Sequence, residues 1–106
     1  MTFKFTARVG DRSPLEAALR ELDGSIVDLT GATVTARMTN RATGAVKVSD
    51  AAAIVDDAAQ GYVSYAWSAG DVDTPGDFDF TFRSTVGGIS RTFPLDGPMV
   101  VEISPR

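Results

Sequence analysis

The chain has 106 residues, the size of one domain, and can bury one modest core without a disulfide or a metal. It contains no cysteine and no histidine, which excludes disulfides, thiolate nucleophiles, zinc fingers, imidazole bases and Ser-His-Asp triads. Ten basic and fourteen acidic residues give a net charge of -4, so no nucleic-acid partner is expected. No apolar run approaches the about 20 residues that span a bilayer, and we expect neither a signal peptide nor a membrane partner.

The first part of the chain contains one clear strand pattern and one ambiguous segment. Residues 2–9 alternate apolar and polar side chains, which predicts a half-buried strand. In the segment 13–22, residues 13–16 (SPLE) have the pattern of a helix-capping box, whereas apolar residues alternate over 15–19 as in a strand. We expect a strand, because the surrounding segments are strands and turns, and a helix is the alternative.

The middle of the chain continues as short strands separated by turns. Asp23-Gly24 is a strong turn signal. The apolar side chains of residues 32–39 share one face, and residues 40–45 indicate a hairpin loop that leads into the strand 46–48. Residues 51–55 form a further short apolar run before two aspartates.

The C-terminal half shows the most regular alternation. Every second residue from 63 to 67 and from 78 to 82 is apolar or aromatic, and these side chains are expected to point inward. The turn Gly87-Gly88 returns the chain along the strand 89–93, and residues 99–103 form a terminal strand.

These segments together predict the fold class. Val and Thr occur 11 times each and Leu 5 times, a composition that strands favour. Seven to nine short antiparallel strands follow one another, with turns about every 8–12 residues. The expected fold is all-β, a single immunoglobulin-like β-sandwich domain over residues 1–106.

Carboxylates supply the only candidate chemistry. One dense group could offer oxygen ligands to calcium, but its spacing differs from that of an EF-hand loop: Asp71, Asp73, Asp77 and Asp79. Asp56-Asp57 could pair with that group as general acid and base, but nothing in the sequence defines their separation. We expect these aspartates to be solvated charges on the surface. The glycines form no phosphate-binding loop and no base can activate a serine or threonine, so we expect no catalytic residue, cofactor or metal site.

Three aromatic residues lie close together in the sequence and could suggest a sugar-binding platform. Tyr65 and Trp67 alternate with polar or small residues beside an apolar valine, so we expect them in the core. Tyr62 falls on the opposite face and is expected to be an exposed aromatic side chain.

An ordered set of short segments over residues 15–104 is more specific than the composition. The segments are Asp23-Gly24, VDLTGATV at 27–34, GYVSYAW at 61–67, Asp71, Gly76-Asp77-Phe78 and Thr92-Phe93-Pro94. This order resembles the N-terminal immunoglobulin-like domain of phage baseplate upper proteins. In these segments we expect Asp28 to accept hydrogen bonds from nearby backbone N–H groups, and Leu29 and Trp67 to fill the core.

The resemblance implies a non-enzymatic virion structural protein that is assembled in the host cytoplasm. In that family the domain anchors a longer baseplate or receptor-binding chain to the tail. Because this chain ends at Arg106, we expect a free-standing version that serves as a tail or baseplate, neck or head accessory protein. Its partners would be other phage structural proteins, in multiple symmetric copies.

Docking is expected at the ends of the chain. A sandwich has edge strands with unpaired N–H and C=O groups, to which a partner strand can add. The terminal strands 2–9 and 99–104 are the best candidates for donation to a neighbour or completion by one, whereas internal pairing of both is the outcome that we expect. The candidate interface residues are Thr2, Phe3, Lys4, Phe5 and Tyr62. The alternative function is a carbohydrate- or cell-surface-binding module displayed on the particle, which would use Tyr62 and the acidic segment 71–79.

Overall fold

The computed structural model describes residues 4–10, 14–68, 70–93 and 99–105. These residues form nine strands and one 3₁₀ turn, Ala58–Gln60, and contain no α-helix. The strands are β1 (Lys4–Arg8), β2 (Leu15–Ala18), β3 (Thr33–Asn40), β4 (Val46–Ala52), β5 (Ile54–Asp57), β6 (Tyr62–Tyr65), β7 (Gly76–Val86), β8 (Ile89–Phe93) and β9 (Met99–Ser104). Within this part of the chain, no helix has the length and apolar character needed to cross a membrane. The prediction of an all-β fold is confirmed.

The strands form two sheets with the strand neighbours of an immunoglobulin-like sandwich. The larger sheet has the order β1-β9-β7-β3-β4, and β8 pairs with the second half of β7. The smaller sheet has the order β2-β6-β5. The chain passes from the larger to the smaller sheet at Ala53, whose amide donates a 2.9 Å hydrogen bond to the carbonyl of Val34. The apolar run predicted at 51–55 is therefore the end of β4 and the start of β5.

The two terminal strands differ from the prediction in one respect. β1 pairs with β9 in parallel, in a register that runs from Lys4 opposite Val100 to Arg8 opposite Ser104. The prediction that all strands are antiparallel is therefore wrong for this pair. The expectation that both terminal strands pair internally is confirmed for the described residues, and the alternative of a free edge at residues 99–104 is wrong, because β9 lies between β1 and β7. Alternation within a strand carries no information about the direction of its neighbour.

The ambiguous segment is a strand at Leu15–Ala18, and the helical alternative is wrong there. Leu15 is buried and Ala17 packs against the core, as alternation requires, whereas the intervening Glu16 is exposed. The predicted turn at Asp23-Gly24 follows. The carboxylate of Asp23 accepts the amide of Ser25 at 2.9 Å, and Gly24 adopts a φ of +90° that glycine tolerates without strain.

Aromatic side chains form the centre of the core. Phe78, Phe80 and Phe82 of β7 are fully buried, and the inward positions predicted for Tyr65 and Trp67 are confirmed. The ring of Phe80 lies 5.8 Å from the Trp67 ring and 5.0 Å from the Phe82 ring, both in edge-to-face geometry. Each such ring pair stabilises a protein by about 0.5–1.5 kcal/mol beyond area burial, so this cluster holds the two sheets together.

Gly61 determines how the smaller sheet begins. Its carbonyl accepts the amide of Leu19 at 2.8 Å, and its own amide donates to the carbonyl of Ala58. A Cβ at this position would lie 2.7 Å from the carbonyl oxygen of Val27 and 2.8 Å from that of Leu19. Two neighbouring backbone segments therefore pass directly over Gly61, and the next residue, Tyr62, starts β6 on the outward face.

Candidate functional site

The edge of the larger sheet at β1 is the first candidate site. β1 has β9 on one side and none of the described strands on the other. Phe5 is half-buried, and its ring lies 6.0 Å from the Trp67 ring, which anchors the strand to the core. Lys4 belongs to β1, whereas Thr2 and Phe3, the other predicted interface residues of this segment, lie outside the described residues.

The backbone of β1 points alternate N–H groups toward and away from β9. The amide of Val9 donates a 2.9 Å hydrogen bond to the carbonyl of Ser104. Because N–H direction alternates along an extended strand, the amide of Ala7 also faces β9, and the amide of Thr6 faces the open edge. The Thr6 side chain is exposed as well.

β1 is a more regular edge than β4 or β5. Its register with β9 is unbroken over five residue pairs. β4, at the other end of the larger sheet, has register shifts against β3 and a positive φ of +49° at Asp50. β5 has a register shift between Val55 and Asp57. Bulges disfavour the addition of a further strand, so β1 is the better template of the three.

A groove of about 470 Å³ on the outward face of the smaller sheet is the second candidate site. Tyr62 is 44% exposed there, as its position on the strand predicts. Its register partner in the neighbouring strand β2 is the small residue Ala18, which leaves the Tyr62 ring uncovered on that side. The groove is lined by Glu16, Ala17, Ala18, Asp56, Tyr62 and Val63.

Arg20 is held at the edge of this groove. Its Nη1 atom donates hydrogen bonds to the carbonyls of Leu19, at 3.0 Å, and Gln60, at 2.9 Å. Its guanidinium carbon lies 5.8 Å from the centroid of the Tyr62 ring, within the range of a cation–π contact. The arrangement orients the aromatic ring before any partner binds.

Glu16, Ala18 and Arg20 were not singled out from the sequence. A signal for them was present, because they alternate with the inward residues of 15–19 and must therefore share the outward face. What the sequence lacked was the pairing of β2 with β6, which brings that face next to Tyr62.

Two carboxylates of the acidic segment 71–79 form ion pairs within the protein. Asp73 forms a 2.5 Å ion pair with Lys47, and Asp79 forms a 2.6 Å ion pair with Arg41. Lys47 and Thr74 lower the pKa of Asp73 below its ordinary value through hydrogen bonds to its carboxylate. Among the described residues, no group of acidic side chains has the geometry of a metal site.

This acidic segment and Tyr62 lie on separate surfaces. The carboxylate of Asp71 accepts a hydrogen bond from the hydroxyl of Tyr65, which is buried on the inward face at the end of β6. Tyr62 lies at the beginning of β6 and faces outward, and the groove beside it is lined from β2, β5 and β6. The single contact region expected for a carbohydrate-binding module is therefore not assembled.

Comparison with known proteins identifies the fold. No protein-family model matches the chain, and no curated protein matches it. Among solved structures, it is similar to the "N-terminal domain of phage TP901-1 ORF48", with a TM-score of 0.53 and 16% sequence identity. The match covers 100% of this chain and 85% of the other. At this identity, the likeness establishes a shared fold with a domain of a phage protein.

Proposed function

We propose that this protein is a non-enzymatic structural protein of a phage virion, which docks onto neighbouring virion proteins through the open edge of β1. The observation that carries the proposal is the regular, five-residue strand β1 at the end of the larger sheet. The resemblance of the sequence to baseplate upper proteins and the likeness in fold to a phage domain support a role in the particle. We propose residues 1–106 as one domain, present in several symmetric copies.

The proposed mechanism is the addition of a strand from a neighbouring protein. A partner strand next to β1 would accept a hydrogen bond from the Thr6 amide, which faces the open edge. It would donate hydrogen bonds to those carbonyls of β1 that face the same edge. The main chain would supply affinity, and the exposed side chains of β1 would supply specificity. The position on the virion, in the tail or baseplate, the neck or the head, is part of what an assembly experiment would establish.

Thr6→Pro tests the edge directly. Proline is tolerated on an edge strand where the missing N–H faces solvent, but it removes the donor that a partner strand needs. We expect Thr6→Pro to retain its fold in circular dichroism and to be lost from particles when it replaces the wild-type protein during infection. The matched control, Thr6→Val, retains the N–H group and is expected to be incorporated normally.

Two results separate docking from folding. Ala7→Pro removes an amide that faces β9, so it is expected to lower thermal stability, whereas Thr6→Pro changes it little. Hydrogen exchange of the peptide 1–9 is expected to slow in assembled particles relative to the free wild-type protein. Normal incorporation of Thr6→Pro, or unchanged exchange in the particle, would contradict docking at β1.

A carbohydrate- or cell-surface-binding module is the second candidate function. The exposed ring of Tyr62 in its groove favours it, because an aromatic face is a common platform for amphipathic ligands. Loss of glycan binding in Tyr62→Ala, with binding retained in Tyr62→Phe, would support this candidate.

A further inference from the structure

We propose that the groove beside Tyr62 binds a basic side chain, an arginine or lysine, of a neighbouring protein in the particle. The proposal rests on the proposed function for the source of that side chain. It concerns a surface on the smaller sheet, whereas the docking edge β1 belongs to the larger sheet.

Two carboxylates stand on opposite sides of the groove. Glu16 lies in β2 and Asp56 in β5, the two strands that flank β6. Neighbouring strands are spaced by about 4.8 Å, so the backbones of β2 and β5 are about 10 Å apart, and the outward side chains of β6, with the Tyr62 ring, lie between them. Neither carboxylate forms a hydrogen bond or an ion pair within the described part of the chain, unlike Asp73 and Asp79.

The charge of this face is negative in spite of Arg20. Asp57 is the register partner of Tyr62 and adds a third carboxylate beside the groove. Glu16, Asp56 and Asp57 against Arg20 sum to a charge of -2. The Nη1 atom of Arg20 is already occupied by two backbone carbonyls. A second cation can therefore be bound by the carboxylates.

The carboxylates of the groove favour a cation over a sugar. Carboxylates only accept hydrogen bonds, and arginine and lysine side chains only donate them, whereas sugar hydroxyls need both donors and acceptors. Among the side chains that line the groove, two are carboxylates and the hydroxyl of Tyr62 is the one hydrogen-bond donor.

The aromatic ring completes the site. The aliphatic part of an arginine or lysine side chain packs on apolar surface while its charged end remains in contact with polar groups. Tyr62 and Ala18 supply that apolar surface, and the carboxylates meet the charged end. A neutral side chain of the same shape would retain the packing and lose the charge contacts.

The test is an NMR titration of the ¹⁵N-labelled full chain with N-acetyl-argininamide, and with N-acetyl-citrullinamide as the neutral isostere. We expect saturable shifts of amides around residues 16–18 and 62–63 with the arginine compound only, and weaker binding at high salt. Glu16→Gln and Asp56→Asn are each expected to weaken binding about two- to five-fold. The control Asp77→Asn, on the outward face of the larger sheet, is expected to bind as the wild type does.

Three results would overturn the proposal. Equal shifts with the citrulline compound would show that charge is not recognised, and unchanged binding by Glu16→Gln and Asp56→Asn would remove these carboxylates from the site. Shifts at the same amides with cellohexaose, and none with the arginine compound, would assign the groove to a sugar. Thr6→Pro should leave the arginine-induced shifts intact, so failure of docking at β1 and failure of the groove are distinguishable.

Discussion

The hydroxyl of Tyr65 donates a 2.7 Å hydrogen bond to the carboxylate of Asp71, and this bond ties the end of β6 to the loop that leads to β7. The same carboxylate accepts the backbone amide of Ser68 at 2.8 Å. Burial of the phenol is the larger cause, and the hydrogen bond to Asp71 the smaller one, that together raise the pKa of Tyr65 to about 12. Asp71 therefore has a structural role, which accounts for one member of the acidic segment that the sequence offered as a possible site.

The raised pKa of Tyr65 predicts a loss of stability in alkali. Its pKa is near 10 in the unfolded chain and about 12 in the folded protein, so its stabilising contribution is complete below about pH 10 and lost as the pH rises toward 12. Tyr65→Phe is expected to be less stable than the wild type at pH 7 by about 1–2 kcal/mol, because the hydrogen bond to a charged acceptor is lost. Urea unfolding across pH should show this difference shrinking in alkali.

Tyr62→Phe is the control for that experiment, since its ring is exposed and its hydroxyl has no hydrogen bond within the described residues. A difference between the wild type and Tyr65→Phe that stayed constant from pH 9 to pH 12 would contradict the assignment.

Gly61→Ala is expected to destabilise the protein by about 2–4 kcal/mol, because its φ of +71° and the two carbonyls near its Cβ position both oppose a side chain. The matched control is Gly44→Ala, which has a similar φ of +76° but no atom within 4 Å of its Cβ position. That substitution should cost about 1–2 kcal/mol. Equal free energies of unfolding for the two variants would show that the carbonyl contacts do not matter.

The predicted role of Asp28 as an acceptor of backbone N–H groups is confirmed. We further expect Asp28 to stabilise the protein in a pH-dependent manner. Its carboxylate accepts the hydroxyl of Thr30 at 2.6 Å and the amide of Thr30 at 2.9 Å, and these bonds lower its pKa from 3.8. A lowered pKa contributes stability above 3.8 that is lost as the pH falls through the folded-state value. Asp28→Ala should therefore melt at a lower temperature than the wild type at pH 7.

The difference in melting temperature should close as the pH falls below 3.8. Asp77→Ala, which removes an exposed carboxylate from the larger sheet, controls for the change in net charge. A gap between Asp28→Ala and the wild type that persisted in acid would indicate a contribution other than these hydrogen bonds.

Phe80→Ala tests the aromatic cluster. Removal of a fully buried ring that contacts Tyr65, Trp67 and Phe82 should cost about 3–5 kcal/mol, through lost burial and the cavity that remains. The control Ile89→Ala truncates a side chain that is 71% exposed, and its effect should stay within about 0.5 kcal/mol. Denaturant unfolding measures both, and a small loss for Phe80→Ala would place the main core elsewhere.

Much of the fold was predictable because alternation is a local property. The inward positions of Val34, Ala36 and Met38, and those of the three phenylalanines in β7, followed from period two and are confirmed. The segment that forms the strand Leu15–Ala18 fits two structures in sequence, because the SPLE pattern at residues 13–16 overlaps it and also suits a helix start. Pairing with β6 selects the strand over the helix. A short sequence window around residue 15 does not contain β6, so local patterns alone do not reveal this pairing.

The candidate sites were less predictable for the same reason. The all-β class, the exposed position of Tyr62 and the turn at Asp23-Gly24 could be predicted from local sequence, since each depends on side-chain period or on backbone preferences of a few neighbouring residues. The parallel pairing of β1 with β9, the open edge of β1, and the positions of Glu16 and Asp56 on either side of Tyr62 depend instead on how the folded sheets are assembled. Those relationships join segments about 40 to 100 residues apart in the chain, where only the packing of whole sheets selects the neighbours.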